Sequence, residues 1–184
     1  VLLPTLLILV GVVVAFVIFT GFYTEFMWFD AVDKTQVFTI SLVTRAIMFA
    51  IMFAIMFVVS SLALFIAFRT RPSYVGATPE QASLERYRVA IEPYRKWIAV
   101  AIVFVLSFFA GLAGSGEYGT YLLWQNSTPF GQVDPQFALD LSFYTFELPF
   151  FRFILGYAFA LVILSLMIVT AVQYLYGGLR LQPK

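Results

Sequence analysis

The chain has 184 residues, 62% of them hydrophobic and 11% charged, where soluble domains run roughly 45–50% apolar and about 25% charged, so a water-soluble fold is excluded and much of the surface must face lipid. A net charge of +1, with no basic stripe interleaved with aromatics, excludes a nucleic-acid binder. The absence of cysteine and histidine excludes disulfides, thiol nucleophiles, His/Cys zinc sites, c-type haem attachment and imidazole acid–base catalysis.

Residues 2–20 are the first run that meets the spanning length of about 20 uncharged apolar residues. The run exceeds a signal-peptide core of about 7–15 residues, and no A-x-A-like site follows it. It starts at Val1 without a methionine, so the chain is expected to be a fragment or processed form of a larger protein. Residues 21–44 are aromatic and acidic. Phe22 to Phe29 are expected to lie as a re-entrant or interfacial piece, with Trp28 as an interfacial anchor.

Residues 46–68, after Arg45, make the second span. It repeats Ala-Ile-Met-Phe from Ala46, from Ala50 and from Ala54. A four-residue period sets Ala46, Ala50 and Ala54 along one ridge and Phe49, Phe53 and Phe57 along another. Small residues at i,i+4 let two helices approach closely, so the alanine ridge is the expected helix-packing face. The bland alternative is apolar filler that meets lipid all round.

Residues 69–96 are polar and basic. Thr78 is the expected N-cap of a short helix there, with Pro79 at its first position and Gln81 completing a capping box. That helix should end near Ile91, before Pro93, and Glu85 and Arg88 are spaced to pair.

Residues 97–114 make the third span, with Gly111 and Ser115 as a second small pair near its end. Residues 115–152 are aromatic, acidic and rich in glycine and proline. Trp124 and Tyr144 are the expected interfacial or contact residues of this stretch. Phe143 to Phe151 should lead into the fourth span, residues 153–176, with Pro149 placed to start or turn it. Every span must be helical, because a backbone in hydrocarbon has to satisfy its own hydrogen bonds.

Orientation follows from the basic residues. Arg69, Arg71, Arg86, Arg88, Arg95, Lys96, Arg180 and Lys184 lie in the 69–96 loop and the tail, and only Lys34, Arg45 and Arg152 fall on the other side. The 69–96 loop and both termini are therefore expected to be cytoplasmic, and the 21–44 and 115–152 loops outside.

No span carries an ionisable residue in its middle, so proton relays and coupled-ion sites are not expected. Ser60, Ser61, Ser107 and Ser165 should hydrogen-bond to their own helix backbone. The outer carboxylates Glu25, Asp30, Asp33, Glu117, Asp134, Asp140 and Glu147 have no calcium-loop spacing and read as a solvated or salt-bridged face. Asn126-Ser127-Thr128 matches a glycosylation sequon that matters only in a eukaryotic secretory setting. No catalytic, cofactor or metal residues are expected.

Some strings are specific. Tyr23-Thr24-Glu25-Phe26-Met27-Trp28-Phe29-Asp30 with Val37-Phe38 and Arg45 resembles the N-terminal region of the UPF0182 family. So do Phe130-Gly131, Asp134-Pro135, Phe137, then Asp140-x-Ser142-Phe143-Tyr144-x-Phe146-x-Leu148-Pro149, and the tail from Tyr174 to Arg180. Ala138 stands where the family's DPxFG pattern has glycine. The resemblance covers nearly the whole chain. It implies a large bacterial membrane protein, of a kind prominent in actinobacteria, whose N-terminal spans precede a big extracytoplasmic region. It carries over location and topology but no catalytic residue.

The resulting expectation is an all-α polytopic membrane helix bundle, residues 1–184 forming one module with four transmembrane helices and aromatic interfacial segments outside. It would sit in a bacterial cell (inner) membrane as a non-catalytic module. Its role would be to anchor a larger extracytoplasmic region, with membrane lipids and other transmembrane helices as partners, from its own longer chain or from other subunits. The alternative is a subunit of a transporter for a lipid-like or small solute.

Overall fold

The computed structural model describes residues 2–70 and 91–176. The short helix expected around Thr78 and the Glu85–Arg88 pair lie outside the described residues. Among those residues the fold is all-α. Its elements are α1 (Leu2–Ala31), α2 (Thr35–Arg69), α3 (Arg95–Gly116), α4 (Tyr118–Gln125) and α5 (Leu148–Leu175). A 3-10 turn, Glu92–Tyr94, leads into α3, and a π turn, Phe143–Glu147, leads into α5. The one extended feature described is an isolated antiparallel bridge between Val133 and Asp140.

Four stretches are long and apolar enough to cross a membrane: Leu3–Ala31, Thr35–Arg69, Glu92–Gly116 and Phe143–Leu175. Each overlaps one of the four expected spans and starts or ends beyond the uncharged core that marks it in the sequence. Charge defines where a chain can lie in hydrocarbon, but it does not stop a helix. At 1.5 Å per residue, the 35 residues of α2 reach about 52 Å, well past a hydrocarbon core of about 30 Å.

The chain forms two compact units, Val1–Thr44 and Arg45–Lys184. In the first, α1 is apolar on every side up to Tyr23, and each side chain from Leu3 to Trp28 is exposed. A helix with no polar face and no cover is one that lipid or further helices must solvate. Phe22 to Phe29 are not a re-entrant piece: they continue α1 without a break, because nothing between Thr20 and Ala31 disrupts helical hydrogen bonding.

The helix stops at Asp33, whose φ of 55° is left-handed. The Asp33 N–H donates to the Asp30 carbonyl at 3.0 Å and the Lys34 N–H to the Phe29 carbonyl at 2.8 Å. These two bonds make a Schellman stop, and α2 starts at once. Phe38, buried, receives Phe22, Phe26 and Phe29 with ring centroids 5.3, 5.6 and 5.9 Å away, which closes the hairpin with aromatic contacts.

In the second unit α2 is the common partner. Its buried face is Met48, Met52, Met56, Ser60 and Ala67, and that of α3 is Val103, Ser107, Ala110, Gly111 and Gly114. The flexible thioethers lie where α3 has almost no side chain. A Cβ on Gly114 would stand 2.5 Å from Met52 Cγ and 3.1 Å from the Met48 carbonyl oxygen, and one on Gly111 would stand 2.8 Å from the Phe49 ring. Beside this seam, Phe49, Phe53 and Phe57 stack along α2, and Phe104 and Phe108 of α3 meet them edge-on at 5.9 and 5.8 Å. Helix α5 joins through polar bonds. Tyr157 donates its hydroxyl to the Met52 carbonyl at 2.6 Å, and Gln173 donates to the Thr70 hydroxyl at 2.8 Å.

Gly114→Leu should therefore force α3 off α2 and cost about 1–3 kcal/mol, read as a lower unfolding temperature in detergent. Gly116→Ala, where a Cβ meets nothing within 4 Å, should leave that temperature unchanged.

Candidate functional site

Three surfaces hold the residues with the most contact chemistry: the faces of α2, the polar end where α2 and α5 finish, and the aromatic end where α4 and α5 meet.

On α2 the repeat offers an alanine, a methionine and a phenylalanine ridge, and α3 takes the methionines. Ala46, Ala50 and Ala54 lie exposed, off that seam. A helix that packs on them is not among the described residues of this unit. Ser107 bonds its own helix as expected, donating to the Val103 carbonyl at 2.7 Å. Ser60 and Ser165 depart from that expectation: their hydroxyls are buried without a protein partner.

At the polar end, Gln173 ties α5 to Thr70, and the Tyr176 hydroxyl donates to Glu92 Oε2 at 2.9 Å. Glu92 also pairs with Arg95 at 2.6 Å, and that guanidinium lies 5.4 Å from the Phe68 ring centroid. The ends of α2 and α5 and the entrance to α3 are thereby bonded into one cluster.

At the aromatic end, Trp124 stacks on Phe150 at 4.6 Å, and Tyr121 meets the same ring at 5.8 Å. This places Trp124 against the start of α5. Trp28, in the other unit, is 61% exposed; it lies edge-on to Phe29 at 4.9 Å and flanks a shallow depression with Thr20, Thr24 and Glu25. Tyr144, half-buried, donates its hydroxyl to Asp134 Oδ2 at 3.3 Å.

The loop between α4 and the π turn is organised by Asp140, one of the carboxylates whose spacing suggests only a solvated or salt-bridged face. Its Oδ1 accepts the Ser142 N–H at 2.8 Å and the Phe130 N–H at 3.0 Å, and its Oδ2 accepts the Gly131 N–H at 2.8 Å. These donors, Ser142 foremost and then Phe130, lower the Asp140 carboxyl from its ordinary 3.8 to about 2. Asp134 caps the inner turn by accepting the Phe137 N–H at 2.7 Å. Thus the Asp134-Pro135 and Asp140-x-Ser142 strings are a scaffold: two carboxylates replace backbone partners that a tight loop cannot supply. Helix α5 then starts through a π turn, with Pro149 in its first positions where its missing N–H costs nothing.

Residues 2–184 match the family model described as Uncharacterised protein family (UPF0182). The chain belongs to the UPF0182 family. It is 42% identical to a UPF0182 protein of Streptomyces coelicolor, over 97% of this chain and 18% of the relative. It is 43% identical to one of Salinispora arenicola, again over 97% and 18%. A third relative, from Frankia casuarinae, is 39% identical over 99% of this chain and 18% of its own length. The chain therefore spans under a fifth of these bacterial relatives. No solved structure matches it.

Ala138 has a φ of 55°, a conformation that costs an alanine about 1–2 kcal/mol. Ala138→Gly should steady the loop by about 1 kcal/mol and slow amide exchange at Phe137 and Leu139. The lowered Asp140 pKa sets the sign of a pH effect. The contribution of Asp140 is complete above its ordinary value of 3.8 and is lost as pH falls through about 2. Loop protection against protease should therefore be full down to about pH 4, decline between pH 4 and 2 and be lost below that, and Asp140→Asn should lack it at every pH.

Proposed function

We infer that this segment is a non-catalytic integral membrane module that holds a larger extracytoplasmic region and packs against other transmembrane helices. The observation that carries this reading is uncovered apolar surface. None of the most apolar window of the α1 stretch, and 6% of that of the α5 stretch, is buried within the chain. Lipid alone can solvate such helices, but the alanine ridge offers an approach that lipid does not need. The length of the relatives supplies a natural occupant, since most of each lies beyond the matched segment.

In this reading the protein sits in the bacterial cell membrane with both termini cytoplasmic and the Asp140 loop outside, as the basic residues of 69–96 and the tail favour. The aromatic end then lies at the outer interface, where tryptophan and tyrosine are at home. Trp28, Trp124 and Tyr144 serve there as interfacial anchors or as contacts to the outer region. Membrane lipids and transmembrane helices are the partners, and no reaction is assigned to the segment.

Two measurements test this. A cysteine replacing Ser73 should resist a membrane-impermeant thiol reagent in intact cells, and one replacing Ser127 should react; the opposite pattern inverts the topology. Coexpressed as separate chains, this segment and the rest of its polypeptide should copurify in detergent, and Ala50→Leu should weaken that association by about tenfold. Failure of the unmodified pair to copurify refutes the packing role. A lipid-filled groove lined by several spans would replace it with a transport role.

A further inference from the structure

Arg45 opens the second unit at the aromatic end of α2, and the 23 residues that follow it carry no charge before Arg69. Its guanidinium lies over the Tyr118 ring, 4.2 Å from the centroid. The side chain is half-buried, and its Nε is buried without a hydrogen-bond partner. Among the described residues no carboxylate pairs with it. Glu117, beside that ring in sequence, instead accepts the Thr120 hydroxyl at 2.7 Å. A cation held against an aromatic face, with donors unspent, is arranged for an anion that the chain does not supply.

Its level identifies the anion. Tyr157 bonds the Met52 carbonyl 105 positions earlier, and Gln173 reaches the Ala67 carbonyl 106 positions earlier. The helices α2 and α5 are therefore parallel neighbours in a constant register. That register places Arg45 level with Phe150, the ring on which Trp124 stacks and Tyr121 rests. A belt of tryptophan and tyrosine marks headgroup depth. Arginine binds a phosphate there in bidentate fashion.

We propose that Arg45, with its guanidinium oriented by the Tyr118 ring, is a binding site for the phosphodiester of an anionic phospholipid headgroup. The two terminal nitrogens, which unlike the Nε are not buried, donate to two phosphate oxygens, and the acyl chains run down the exposed apolar flank of α2. The site requires only that these helices cross a bilayer, not that the segment anchors anything.

The test uses the full-length protein in detergent, titrated with phosphatidylglycerol and read by native mass spectrometry as the fraction that retains lipid. Arg45→Met should lower the apparent affinity about tenfold, Tyr118→Phe should preserve it, and Arg152→Gln, at an exposed arginine of the same end, should leave it unchanged. Inorganic phosphate at equal concentration should not displace the lipid. Equal retention by Arg45→Met overturns the proposal, and so does displacement by free phosphate. On the unmodified protein, phosphatidylglycerol with a photoreactive headgroup should label the first turns of the α2 span around Arg45 and the start of α4. Labelling confined to other segments overturns the site even if Arg45→Met does not fold.

Discussion

Helix α3 lies directly on the backbone of α2, and the second unit depends on that contact. At Gly114 the separation is so small that the Met48 carbonyl oxygen and the Met52 side chain occupy the space a Cβ would need. In lipid, helices gain little from hiding apolar surface, because acyl chains are as apolar as leucine. Association must come from close contact and from polar bonds between helices. The glycines of α3 supply the first and Tyr157 the second: its hydroxyl bonds the carbonyl of the same Met52 against which α3 rests. One turn of α2 thus meets both of its neighbours, and the stacked phenylalanines continue the contact along the seam.

The four spans were plain in the sequence because long uncharged runs have one physical solution. Their ends were not, because the rule that finds them senses charge and not helix termination. The aromatic content of Phe22 to Phe29 says nothing of whether the chain re-enters, and their backbone has no reason to leave the helix before Asp33. The family resemblance, drawn from the DP…D-x-SFY-x-F-x-LP string, was specific enough to identify the family without coordinates.

The faces of α2 were harder to read. A repeat of Ala-Ile-Met-Phe presents several ridges of equal regularity, and nothing in its spacing says which one a neighbour takes. The choice falls to the partner: α3 brings glycine, alanine and serine, so bulk on α2 and smallness on α3 fit together. In this pair the small residues lie on α3, and the alanines of α2 face outward, open to another helix. Gly111 pairs by spacing with Ser115, but Gly114, one helical turn from Gly111, makes the tighter approach. The role of Asp140 was hidden for another reason. A carboxylate that collects backbone N–H groups looks, in one dimension, like any solvated acid; only the loop's return brings Phe130 and Gly131 to it.

Between Thr35 and Arg69 the sequence of α2 has neither glycine nor proline. Sharp kinks arise at such residues or where something interrupts the hydrogen-bond ladder, and this helix runs unbroken. It is therefore a stiff lever without a hinge. Within the second unit, a push on its Arg45 end moves the end that carries Arg69 the opposite way.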